Sequence, residues 1–123
     1  MSIISESDAP KRGVFLGSSL ADLSAFPPEA RRKAGKDIGE LQSGRMPPDW
    51  KPMPVIGAGA GEIRIQGKCA FRVLFVARFH EAIYILHAFE KKSQATARHD
   101  IELGRARYQA LLRAREGGDE RQA

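Results

Sequence analysis

The chain has 123 residues, with 20 Lys+Arg against 15 Asp+Glu and a single cysteine, Cys69. One domain's length excludes an enzyme with separate cofactor and substrate lobes, and a lone cysteine excludes an intramolecular disulfide framework or a cysteine-based zinc site, which points to a reducing cytoplasm. The formal charge of +5 favours polyanionic partners such as nucleic acid, and 13 of the 20 cations are arginine, whose planar fork suits phosphate better than lysine does.

Residues 1–10 (MSIISESDAP) lack a basic region followed by an apolar run, so no signal peptide is expected there. They read as a flexible extension ahead of one domain over 11–115, with 116–123 a polar, flexible tail. No apolar stretch is long enough to span a bilayer. Residues 11–16 (KRGVFL) predict a short strand, and Gly17-Ser18-Ser19 closes it with N-cap hydroxyls. Leu20, Leu23 and Phe26 follow at helical spacing, and Pro27-Pro28 ends that helix and opens another. Ala30, Ala34, Ile38 and Leu41 form the apolar stripe of this second helix, which Gly44 caps.

Residues 46–61 hold four of the seven prolines and the Gly-Ala-Gly-Ala-Gly run, and read as a structured loop in which Trp50 is an anchor. The run lacks a GK[ST] ending and leads into a strand, so it is not a phosphate cradle. Strands are predicted over 62–66, 70–78 and 82–89, joined at hairpin spacing by turns at Gly67-Lys68 and Phe79-His80-Glu81. A last helix covers 97–115, with Ile101, Tyr108, Leu111 and Leu112 on one face and charge-balanced arginines on the others. The order β-α-α-β-β-β-α is that of an α+β fold, an antiparallel sheet with two N-terminal helices on one face and a C-terminal helix, one sheet face being left open.

Charge singles out the middle of the chain. Residues 61–98 carry a net +4, whereas 1–60 carry +1 and 99–123 balance. Strand alternation puts Glu62, Arg64 and Gln66 on one face of their strand and Arg72, Leu74, Val76 and Arg78 on one face of the next. Ile83, Ile85, His87 and Phe89 share a face of the third, opposed to Tyr84, Leu86 and Ala88. Pairing the apolar sets leaves Arg64, Arg72 and Arg78 on the wetter side, where either Tyr84 or His87 joins them according to register. Lys91 and Lys92 close one edge of that patch.

From about residue 11 to 112 the chain resembles the phage Gp49-like branch of the RelE/HigB toxins of bacterial type II toxin–antitoxin systems. The resemblance is carried by VFLGSSLADLSAFP, DWKPMPVIGAGAGEIRI, FRVLFVARFHEAIYILHAFEKKSQ and RHDIELGRARY. It implies a RelE/ParE-like fold and a metal-independent endoribonuclease, an mRNA interferase that cuts message on the ribosome without any cofactor. A cognate helix-turn-helix antitoxin would neutralise it by covering or distorting the Arg64/Arg72 face. Attack of a ribose 2′-hydroxyl on the adjacent phosphate needs a base, cationic stabilisation of the phosphorane and an acid for the leaving oxygen. Carried onto this chain, the resemblance makes Arg64 and Arg72 ligands of the phosphate, Lys91 and Lys92 clamps, and His87 the acid or base, since an imidazole pKa near ~6.5 suits either role. Arg78, Lys68 and Tyr84 are the further candidates for RNA contact. Relatives usually continue the double lysine with more positive charge, where this chain has Ala95 and Ala97. Two other readings stand beside this one, a ParE-like inhibitor of DNA gyrase on the same fold and a non-catalytic member that only binds a partner.

Overall fold

Runs of β-branched and aromatic residues free of glycine and proline build the two longest strands, and serine-opened and proline-opened segments with apolar residues three and four apart build the two N-terminal helices. The computed structural model describes residues 10–122, so the expected N-terminal extension lies outside the described residues except for Pro10, as do the side chains beyond Gly117. In chain order the elements are β1 (Arg12–Phe15), α1 (Ser19–Ser24), α2 (Pro28–Gln42), β2 (Trp50–Pro52), β3 (Ala60–Ile65), β4 (Ala70–Val76), β5 (Ala82–Lys91) and α3 (Arg98–Gln122). This is the α+β class expected, with one strand more. β2 falls inside the proline-rich stretch read as loop, and it forms because Pro52 closes an edge strand, where a missing N–H costs no ladder bond. α3 runs past Arg115 to Gln122, because the Gly117-Gly118 pair costs only about 1 kcal/mol per glycine in a helix already begun.

The five strands lie in the order β1-β5-β4-β3-β2. β1 runs parallel to β5, its connection to the rest made by the two N-terminal helices, and all other pairs are antiparallel. Both faces of the sheet are covered, which corrects the expectation of an open face. On one, Leu23 of α1, Phe26 of the link that follows it, and Ala34, Ile38 and Leu41 of α2 pack on Ile63, Val73, Phe75 and Ile85. On the other, Tyr108 and Leu111 of α3, with Met53 and Ile56 from the loop after β2, pack on Leu74, Val76, Leu86 and Phe89. Trp50 is the anchor expected, packed against the first cluster with its ring 6.2 Å from that of Phe75.

One irregularity in β5 decides what the second face contains. Phe75 pairs with Ile85 but Leu74 pairs with His87, so Leu86 is an extra residue that forms a bulge. Ile83 and Ile85 face the N-terminal helices, whereas His87 and Phe89 oppose Leu74 and Arg72 on the α3 side. Strict alternation had grouped these four together; the bulge separates them.

Gly61 shows how closely the first core abuts β3. A Cβ there would lie 2.5 Å from the ring of Phe75, itself only 1% exposed. Gly61→Ala is therefore expected to lower stability by roughly 1–3 kcal/mol through overpacking, read as a lower urea midpoint at unchanged slope.

Candidate functional site

Alternation along β3 sends Glu62 and Arg64 to the α3 side of the sheet, and register sets Arg64 directly opposite Arg72 of β4. Two like charges opposed across an antiparallel pair repel. Glu62, diagonal to Arg72, offsets that repulsion. Its Oε1 lies 3.6 Å from Arg72 Nε, 3.9 Å from Arg64 Nε and 3.9 Å from Lys51 Nζ of β2. Its Oε2 accepts a hydrogen bond of 2.9 Å from the Thr96 hydroxyl. Thr96 belongs to the connection between β5 and α3, so this bond ties that connection to β3.

Burial grades the cluster from floor to rim. The side chains of Glu62 and Arg72 are 1% and 7% exposed, against 37% for Arg64 and 45% for Lys51. Burial pulls the Arg72 guanidinium below its usual range, the Glu62 carboxylate beside it works the other way, and Arg64 adds to the fall. Arginine starts so high that Arg72 stays cationic at neutral pH. Nη1 of Arg72 donates to the carbonyl of Phe71 at 2.9 Å, while the Nε groups of both Arg64 and Arg72 are buried without a hydrogen-bond partner. Two guanidiniums thus hold directed N–H donors unused beside one carboxylate.

These residues line a groove of about 510 Å³, within the ~300–1,000 Å³ of small-molecule clefts. Lys51, Arg64, Arg72 and Lys91 line it together with Glu62, four cations to one anion, and Met53, Val55 and Ile101 supply an apolar wall. Asp49 stands outside the lining, its Oδ1 3.9 Å from Nη1 of Arg64. Lys91 is steadied by donating at 2.5 Å to the carbonyls of both Ser93 and Gln94. Among the described residues no three His, Cys, Asp or Glu side chains are placed to hold a metal, and no helix is long and apolar enough to cross a membrane.

The structure therefore brings Arg64, Arg72 and Lys91 together and sets Lys92 in the neighbouring hollow. The remaining sequence candidates lie elsewhere. His87 is buried, stacked on Phe89 at 4.7 Å, and its Nε2 lies 2.7 Å from Oδ1 of Asp100 in the first turn of α3. Arg78 donates to the Tyr108 hydroxyl at 3.0 Å and lies over Phe79. Tyr84 donates to Glu81 at 2.9 Å and meets Phe79 edge-on. Both belong to the cluster that fastens α3, where Arg115 also covers Phe79 and pairs with Glu81. Lys68 is exposed in the turn between β3 and β4.

Sequence reasoning overlooked Glu62, Lys51 and Thr96 as members of the site. Glu62 left a signal, an acid two positions before an arginine on the same strand face. Lys51 and Thr96 left none, being placed by the short β2 pairing and by the path of the chain into α3.

The His87–Asp100 contact is a clasp between β5 and α3. Removing the acid leaves both ring nitrogens buried without partners, since Nδ1 already lacks one. Asp100→Ala is expected to cost about 1–3 kcal/mol, measured as a fall in the chemical-denaturation midpoint.

A family model described as Phage derived protein Gp49-like (DUF891) matches residues 21–109, well over half of the chain and all of the groove's lining. No curated protein and no solved structure matches.

Proposed function

Because the chain belongs to the phage-derived Gp49-like family, a toxin-like family, we propose that it is the toxin of a type II toxin–antitoxin pair, an endoribonuclease that cuts ribosome-bound mRNA in the cytoplasm. The observation that most supports this reading is the pair of buried Nε–H donors of Arg64 and Arg72, ion-paired to Glu62 yet making no hydrogen bond, in a groove of net positive charge.

In the reaction, the ribose 2′-oxygen attacks the adjacent phosphorus and loses its proton. The bond from phosphorus to the 5′-oxygen breaks, and that oxygen takes a proton. A 2′,3′-cyclic phosphate and a 5′-hydroxyl result, with no redox change and no metal needed. Negative charge grows on the non-bridging oxygens of the phosphorane, and fixed N–H donors aimed at that charge act without reorganising. Arg64 and Arg72 supply those donors. Glu62 keeps the two like charges in place, with Thr96 on its other oxygen, and Lys51 and Lys91 hold the flanking backbone. A cognate antitoxin silences the toxin by covering or distorting this groove.

Purified ribosomes translating an end-labelled message test the proposal. Addition of the protein is expected to yield cuts in phase with the codons, suppressed by the antitoxin. Intact message would overturn it, and intact message together with arrested gyrase supercoiling would replace it with a gyrase-binding role.

A further inference from the structure

We infer that the groove is one of two adjoining seats on a track for two consecutive nucleotides of a single RNA strand, with Arg72 at the step between them; this deepens the endoribonuclease reading and rests on it. A second hollow, of about 550 Å³, lies alongside the first. Both are lined by Gln66, Arg72, Lys91 and Gln94. Beyond that shared border each has its own cation, Arg64 backed by Lys51 in the first and Lys92 in the second.

That division matches a dinucleotide. A linking phosphate belongs to both nucleosides and should meet cations common to both seats, whereas the outer phosphates belong to one seat each. Each hollow has the volume of a small-ligand cleft, so neither needs to hold the whole unit. The shared Arg72 is more than nine-tenths buried, and its Nε–H, 3.6 Å from Oε1 of Glu62, makes no hydrogen bond and is left for a ligand. The recess also selects the strand. A duplex carries its phosphates outermost but keeps its bases paired and stacked, so they cannot enter separate hollows, while an unpaired strand can splay its bases into them around a shared phosphate. The amides of Gln66 and Gln94 at the border are groups able to read base edges there.

The test is a binding series on the full chain, using 2′-O-methyl mono-, di- and trinucleotides whose blocked 2′-oxygen prevents cleavage. Affinity is expected to rise at least tenfold from mono- to dinucleotide and to change less than threefold on adding the third nucleotide. Lys92→Ala, an exposed position, is expected to reduce the dinucleotide to the affinity of the mononucleotide, and Arg32→Ala, an equal charge loss on α2 across the sheet, to leave the series unchanged. Equal affinity for one and two nucleotides, an equal gain at every added nucleotide, an equal loss in both variants, or no binding at all would each overturn the two-seat track. The outcomes separate from those of the parent proposal: message left intact on the ribosome with the stepped series present removes the nuclease, and message cut with no step removes only the track.

Discussion

Glu62→Ala is expected to lower folding stability by about 3–5 kcal/mol, the scale set by stranding one member of a buried ion pair. The side chain removed is 1% exposed, and its loss leaves Arg72, 7% exposed, facing Arg64 with no anion between them. Like-charge repulsion then adds to the desolvation already acting on the guanidinium. Thr96 loses its acceptor at the same time, so the connection into α3 is released from β3. A urea titration gives the magnitude, and the double variant Glu62→Leu with Arg72→Met gives the mechanism. Replacing both partners by apolar side chains should cost less than Glu62→Ala alone, since no buried charge is then stranded. A single-variant loss below about 1 kcal/mol, the value of an exposed pair, would show that the carboxylate does not organise the cluster.

Arg72→Lys is expected to slow single-turnover cleavage of ribosome-bound message by about 10²-fold, the scale for removing one preorganised donor from a developing oxyanion. The substitution keeps the positive charge beside Glu62, so the thermal midpoint should remain close to that of the parent chain. What disappears is the planar fork, with its directed Nε–H, in favour of a rotating ammonium on a flexible stem. Wild-type cleavage in this variant would remove the guanidinium from the chemistry. Parallel loss of cleavage and of the folded state would make the effect structural.

Much of this architecture was legible in the residues, because local patterns specify it. Leu23, Phe26, Ala34, Ile38 and Leu41 recur at helical spacing and do form the cover of one sheet face. Arg64 and Arg72 alternate onto one side and meet across β3 and β4. What escaped depends on contacts distant in sequence. Apolar periodicity revealed that residues of α3 were sided, but nothing local told which sheet face they would cover, and Tyr108 and Leu111 close the face expected to be bare. β2 hid among prolines because three residues are too few to display a period. His87 changed faces because register belongs to a strand pair, and no composition signal marks the extra residue at Leu86. The groove was half visible for the same reason: its cations are a matter of sequence, while the carboxylate that gathers them acquires its meaning only when β2, β3, β4 and the chain before α3 converge.

The extra residue in β5 also determines where the chain tolerates a change of length. Lys91 pairs with Ala70, two positions from Arg72, and stands on the arginine side of the sheet only because Leu86 has shifted the count by one. Deleting Leu86 would simply join Ile85 to His87 in regular alternation and keep His87, Phe89 and Lys91 where they are, whereas deleting Ala88 beyond the bulge would turn Phe89 and Lys91 over to the helices at the back. The ring stacked on His87 and the cation shared by both hollows would then leave in one step, although neither residue had been altered. The His80–Glu81 turn, ahead of the strand, has no such leverage. In β5 the spacing beyond the bulge is therefore as much a part of the site as the identity of its residues, and gaps among related chains should gather in the turn or at the bulge and avoid the stretch from His87 to Lys91.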